Sequence, residues 1–210
     1  MEAKKIKDTD IGDSIFFGSY EQDGNTENGK EKIEWQVLAK ENNKVLVISK
    51  KALDCQPYNS TDSDTTWETC SLREWLNTSF FNDAFSSLEQ AMISETNVSA
   101  DKNLEYDTDS GNATKDKIFL LSIDQASAYF SSDESRKCVV SDYAKKINAY
   151  IVDEYSIGFK SVCNWWLRTP GKNFQLSSFV HYDGSIISDG DFVSDKHLCV
   201  RPALWIITEF

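Results

Sequence analysis

Short apolar runs broken by Gly, Asn and Asp recur along this chain, and they predict strands more often than helices. Residues 12–20 (GDSIFFGSY) predict a strand, and Asp23-Gly24 and Asn28-Gly29 predict a turn-rich loop after it. Residues 34–39 (EWQVLA) and 45–49 (VLVIS) flank a polar turn, so 34–49 predicts a hairpin. Residues 54–69 are a polar loop. Ser71 and Glu74 then have the spacing at which a hydroxyl and a carboxylate satisfy each other's backbone N–H groups. Leu72, Trp75, Leu76 and Phe80 share one helical face behind that cap. Ser86 and Glu89 repeat the cap before a short second helix. Residues 99–117 carry almost no apolar side chain and predict an exposed loop. Residues 117–121 (KIFLL) predict a strand, and Ser122 with Gln125 caps a helix running to Phe130. The pattern over 131–160 is ambiguous, with a candidate helix near Tyr143, Ile147, Tyr150 and Ile151.

The last third is β-rich. Residues 164–169 (NWWLRT) predict a strand closed by Pro170-Gly171. Residues 178–182 and 185–188 flank Asp183-Gly184, a two-residue hairpin signal, and Asp189-Gly190 predicts a further turn. Residues 200–207 (VRPALWII) predict a closing strand, which Pro202 makes an edge or bulged one. No internal repeat or long linker divides the chain. The expectation is one α+β domain over 12–207 behind a tail of 1–11.

Composition narrows the function classes. The chain has 210 residues, with 12 Phe, 8 Tyr and 6 Trp, enough large side chains for a sizeable core. Its formal net charge of -12 excludes a nucleic-acid partner, because phosphate binding needs a basic footprint. Apolar runs are too short for membrane insertion, and no apolar stretch follows the early lysines as a secretion signal would require. Localisation is left open. Cys55, Cys70, Cys138, Cys163 and Cys199 include no Cys-x-x-Cys pair, so buried free thiols are the first expectation. A disulfide between Cys138 and Cys163 stays open. His181 and His197 are the only histidines and lie at no zinc-ligand spacing. No Asp-x-Asp-x-Asp-Gly loop occurs, which excludes an EF-hand. Asn59, Asn77, Asn97 and Asn112 stand in glycosylation sequons.

Several stretches in fixed order carry a resemblance: GDSIFFGSYEQDGN with IEWQVL, TWETCSLREWLNTSFFNDAF, KIFLLS, WWLRTPG and the ending VRPALWI. From Gly12 to Ile207 the chain resembles the bacterial domain of unknown function 6273, with Thr169 where the family pattern has Ser. That family resembles the C-type-lectin-like fold, as do formylglycine-generating enzymes and the variable proteins of diversity-generating retroelements. The resemblance implies two main helices beside twisted antiparallel sheets, long loops, paired first and last strands, and a ligand face made by late loops and strands. It also suggests an extracellular or cell-surface setting.

The candidate residues follow from these readings. Trp165 and Trp166 are neighbours on a strand and point to opposite faces. Both read best as structural; where one is not, Trp166 is the candidate contact and Trp165 the core ring. Trp35, Trp75 and Trp205 read as core. Arg168 and Arg201 sit inside apolar strands and need carboxylates or carbonyls, so each is expected to hold a structural network. His181 and Tyr182 lie at a hairpin tip; Asp183 can orient the imidazole, but a turn already explains it. Asp189, Asp191 and Asp195 are spaced as an oxygen-rich loop, which makes calcium a weaker alternative to no cofactor. Phe174, Gln175, Phe192, Lys196 and His197 complete a mixed aromatic and polar set of the kind that suits contact surfaces. The expected function is a non-enzymatic module binding a glycan or protein through residues 172–198. The rivals are a formylglycine-generating type of enzyme, which needs a reactive cysteine pair, and a structural module of a larger surface protein.

Overall fold

The computed structural model describes residues 6–154 and 160–209. Most of the tail's first half, at 1–5, and positions 155–159 of the ambiguous stretch lie outside the described residues.

The architecture is α+β, with mostly antiparallel sheets and few helices. Ser14–Tyr20, Glu31–Glu41, Lys44–Ser49, Ala203–Ile207 and Ile118–Phe119 form a first, wholly antiparallel sheet in that spatial order. Lys44–Ser49 lies at its centre, buried from Val45 onward, which is what an unbroken apolar run requires of a strand covered on both faces. The first and last strands share this sheet without pairing: Ala203–Ile207 bonds to Lys44–Ser49 instead. Ile151–Glu154, Lys160–Cys163, Val139–Val140 and Lys51–Ala52 make a second sheet. The third runs Ile186–Phe192, Leu176–Val180, Trp165–Pro170, Cys199–Val200, Asp54–Cys55.

The closing strand departs from expectation. It is two strands, Cys199–Val200 in the third sheet and Ala203–Ile207 in the first. Arg201 and Pro202 occupy the crossing, so the proline's missing N–H removes no ladder bond, and its carbonyl accepts from Ser49 N–H at 3.0 Å. Ala203–Ile207 is therefore an interior strand, not an edge.

The main helical stretch runs through Ser71–Trp75, a π turn at Leu76–Phe80, and Phe81–Ala84. Leu72, Leu76 and Phe80 are buried, as their spacing predicts, while Trp75 is half-buried against Phe80. The cap is Cys70, whose sulfur accepts from Arg73 N–H, and not Ser71, whose hydroxyl instead accepts from Ser60 N–H at 2.8 Å. Asn77 lies within the π turn. Its side chain accepts from Lys117 and Ile118 N–H at 2.8 and 3.1 Å and donates to Ile118 carbonyl at 2.9 Å. The helix thereby supplies the hydrogen bonds of a short edge strand. The caps at Ser86–Glu89 and Ser122–Gln125 form as expected, opening Ser87–Met92 and Ile123–Tyr129. Within the ambiguous stretch, Tyr143 lies in the helix Asp142–Lys146 and Ile147 caps it, but Ile151 begins a strand.

Residues 99–117 are more than an exposed loop. Thr114–Asp116 pairs with Thr96–Val98, and Asn103, Thr108, Ser110 and Asp116 are buried. Polar content misled here because these polar groups are inside, and Asn103 and Asp116 are hydrogen-bonded there. Asp116 accepts from Arg73 Nε at 2.6 Å, Trp67 Nε1 at 2.9 Å and Thr114 Oγ1 at 2.6 Å. The described part of the tail is also docked: Ile6–Asp8 forms a 3-10 turn and Thr9 is fully buried.

Candidate functional site

Trp165 and Trp166 are both fully buried, because the strand that carries them has covered faces on both sides. Trp165 packs edge-on to Phe130 and faces the Arg201 guanidinium at 5.0 Å. Trp166 packs edge-on to Tyr58 and donates from Nε1 to Gln56 carbonyl at 2.9 Å. Trp166 thus offers no ring face to a ligand, which corrects its candidate role. Trp35 and Trp205 are also buried.

Arg168 is 2 % exposed and gathers partners from three segments. It donates to Leu120 carbonyl at 3.0 Å, to Ser99 carbonyl and Oγ at 3.3 Å, to Gln125 Oε1 and to the Asp101 carboxylate. Arg201 has no carboxylate partner among the described residues. Nε donates to Ser49 carbonyl at 2.9 Å, and the guanidinium lies between the rings of Phe130 and Trp165. Both arginines have the structural surroundings their sequence positions predict.

The expected face at 172–198 divides. Phe174, Gln175 and Phe192 are exposed at one end of the third sheet, with Phe192 57 % exposed. Backbone bonds fix that end: Val193 N–H to Gln175 carbonyl at 2.9 Å, and Thr65 N–H to Phe174 carbonyl at 3.0 Å. His181 and Tyr182 lie past the other end of Leu176–Val180, with His181 seven residues on from Phe174, at most roughly 23 Å at about 3.3 Å per residue. Their hairpin loop has three residues, not two, with Gly184 N–H donating to His181 carbonyl at 2.8 Å and Gly184 at φ +90°. The tip packs on a neighbouring helix, since Arg136 Nε donates to Gly184 carbonyl at 2.8 Å. His181 Nδ1 lies 3.0 Å from Asp183 Oδ1. Burial works against the Asp183 carboxylate, but bonds from the Ser185 hydroxyl and N–H and from His181 bring its pKa down to about 2. Among the described residues no serine or cysteine side chain bonds to the His181 ring, so the pair lacks the nucleophile that a general base would activate. His197 is exposed in a third place, its Nδ1 at 3.0 Å from Asn148 carbonyl.

Asp189-Gly190 is not a turn but a bulge inside Ile186–Phe192, where the register slips opposite Ser177 and Phe179. Asp189 and Asp191 are half-buried along it. Burial, then repulsion by Asp195 and Asp189, raises the Asp191 pKa. Asp191 accepts from Phe192 N–H and Asp195 from His197 N–H, and the three carboxylates do not converge on one ion position. Among the described residues the carboxylates that do converge are Glu21, Asp23 and Glu31, around the loop that Asp23-Gly24 marks in the sequence. Each already accepts backbone N–H groups there: Gly24 onto Glu21, Asn25 onto Asp23, and Gln22 onto Glu31.

A family model described as "Domain of unknown function (DUF6273)" matches residues 42–208. The chain belongs to this family. The matched span starts after the first two strands of the first sheet and takes in both arginine networks and the whole candidate face. No curated protein and no solved structure matches the chain.

The family span also contains a feature without a sequence motif. Cys138, Cys163 and Cys199 are fully buried free thiols, and Cys55 is a nearly buried fourth. Cys199 pairs with Cys55 across two strands, and Cys163 N–H donates to Cys138 carbonyl at 3.1 Å. Burial disfavours a Cys163 thiolate, while its neighbours Cys138 and Cys199 and the charge of Arg201 draw its pKa down; the thiol also lies 3.7 Å from the Cys138 carbonyl, which it can donate to. Cys138 is pushed up by burial and by its bond to Cys163. The disulfide left open between Cys138 and Cys163 is not formed, and both are buried free thiols. Only tertiary contact assembles this row, because its members come from four separate strands or their flanks.

Proposed function

We propose that this domain is a non-enzymatic binding module that recognises a protein or glycan through the Phe174–Phe192 end of its third sheet. The observation behind this reading is a pair of phenylalanine rings held in water on a fixed backbone, Phe174 at 38 % and Phe192 at 57 % exposure. Leaving such a ring unburied forgoes about 1.5–3 kcal/mol that a partner could recover. Gln175, Asp191 and Lys172 supply a polar rim, the arrangement common at contact surfaces. His181 with Tyr182, and His197, are separate minor contacts in this reading. Binding needs no metal, so added calcium should leave it unchanged. A C-type-lectin-like fold belongs to this reading, with late strands and loops forming one sheet while the first and last strands share another without pairing, and a larger cell-surface protein fits as the setting. Glycan arrays and pull-downs with the pure domain test the proposal. The Phe174→Ala/Phe192→Ala variant should lose at least about tenfold in affinity, roughly 1.4 kcal/mol. Unchanged binding would place the contact elsewhere.

One observation favours a second reading. Formylglycine-generating chemistry needs a reactive cysteine pair, and Cys55 faces Cys199 on adjoining strands while Cys163 bonds through its backbone to Cys138. Thiol titration of the folded domain and copper uptake decide between the readings. Inert thiols with no uptake remove the enzyme.

A further inference from the structure

A cleft of about 370 Å³ opens on the side of the first sheet, lined in part by Trp205, Phe119 and Tyr129. Its size falls in the range of small-ligand sites and is far below what a protein interface needs. Its apolar part is Val98, the buried edges of Phe119 and Trp205 and the half-buried Tyr129 ring, and the remaining lining is amide, hydroxyl and charged groups. The charges nearly cancel: Lys44 Nζ pairs with Glu41 at 3.5 Å and lies 4.7 Å from the Trp205 ring centre, leaving Glu95 as a lining carboxylate with no ion-pair partner among the described residues.

One wall is set in advance. Gln125 Oε1 accepts both from Ser122 N–H at 3.2 Å and from Arg168. That fixes the amide's orientation and leaves Nε2, which has no partner among the described residues, as a donor lining the cleft. The same guanidinium holds Ser99, another lining residue, through its carbonyl and hydroxyl. One buried arginine therefore ties together two segments that line the cleft. The Tyr129 hydroxyl and the exposed Asn97 amide add groups that both donate and accept.

We propose that this cleft is a binding site for a single uncharged sugar ring, separate from the Phe174–Phe192 surface. A sugar presents C–H groups to an aromatic ring and hydroxyls that donate and accept at once, which matches the half-buried Tyr129 ring set among mixed polar groups. A cationic ligand fits less well, because the chain's own Lys44 ammonium already occupies the Trp205 face. An anion would meet Glu41 and Glu95.

Saturation-transfer NMR on the full chain tests this with glucose, galactose, mannose and N-acetylglucosamine, and with lysine ethyl ester as the ammonium probe. The expected result is millimolar binding of at least one sugar, about -4 kcal/mol at that affinity. It should weaken at least tenfold in Gln125→Ala and Tyr129→Ala and persist in Phe16→Ala, a distant exposed substitution. Asn97→Ala and Glu95→Gln alter only exposed side chains, so they report on the cleft even if the first two variants fold poorly. The proposal is overturned if none of the four sugars binds, if only the ammonium probe binds, or if sugar binding survives all four cleft substitutions.

Discussion

Replacing Arg168 by Met keeps most of the stem's packing volume and removes every guanidinium bond. The Leu120 carbonyl, on a fully buried residue, loses its side-chain donor, and an unsatisfied buried acceptor costs about 1–3 kcal/mol. The bond to Asp101 is charge-assisted and contributes about 1.5–3 kcal/mol. Asp101 is 26 % exposed at its side chain and can turn to water, which limits the penalty on its side. The net expectation is a loss of about 3–5 kcal/mol, in the range found when one partner of a buried pair is removed. For a chain of this length that is a fall in Tm of roughly 6–20 °C. Urea unfolding followed by circular dichroism and Trp fluorescence measures it. Asp101→Asn, alone and combined with Arg168→Met, closes a double-mutant cycle, and a coupling of about 1 kcal/mol or more is expected for groups in direct contact. A loss under about 1 kcal/mol for Arg168→Met would mean that water replaces the guanidinium freely, and the tie between the two cleft-lining segments would be refuted.

Other outcomes are equally specific. Gly184 and Gly29 share φ +90°, but a Cβ at Gly184 would lie 1.8 Å from Asp133 carbonyl oxygen and one at Gly29 would meet nothing within 4 Å. Gly29→Ala should cost about 1–2 kcal/mol from the left-handed backbone alone, and Gly184→Ala a further 1–3 kcal/mol or so from overpacking; equal midpoints in urea would contradict the packing of the tip. Asp116→Ala strands the buried Trp67 indole N–H and the Arg73 guanidinium and should cost about 3–5 kcal/mol, read by thermal unfolding. Cys163 is drawn below its ordinary value of 9.0 by Cys138, Cys199 and Arg201. The folded chain thus binds fewer protons than the unfolded chain below 9.0, so this stabilisation is complete above the unfolded pKa and is lost as pH falls through the lowered folded pKa. Thiolate absorbance at neutral pH should be present in the wild type and absent in Cys163→Ser, whose stability should fall less steeply toward pH 5; no thiolate signal at pH 7 would sink the assignment.

Elements defined by neighbouring residues were legible in the sequence. Ser86 with Glu89 and Ser122 with Gln125 cap helices because a capping box is closed within four residues, whatever surrounds it. The run 45–49 became a central strand because only two covered faces can absorb five consecutive buried side chains. The buried arginines had to find partners, since an unpaired charge in a core is too costly, and both did.

Which partners they found was a tertiary matter. Arg168 meets Asp101 across 67 positions of chain, and Arg201 meets ring faces in place of a carboxylate. Trp166 looked as eligible for the surface as for the core, because strand alternation says only that two neighbours face opposite ways. The covering of both faces by Tyr58 on one side and Phe130 on the other decided it. The polar stretch 99–117 was misjudged for the same reason: a buried Asp or Asn reads as a surface residue until its donors, here Trp67 and Arg73 for Asp116, are known. The candidate face at 172–198 was continuous in sequence but is split by the length of a strand, whereas the cleft at Trp205 and the row of thiols draw on segments far apart in the chain. By itself the sequence determined the local elements, the need to bury its rings and arginines, and membership of its family. The tertiary structure alone decided which of those rings stay in water and which polar groups converge, because exposure and convergence depend on what packs across from a residue, not on what precedes it.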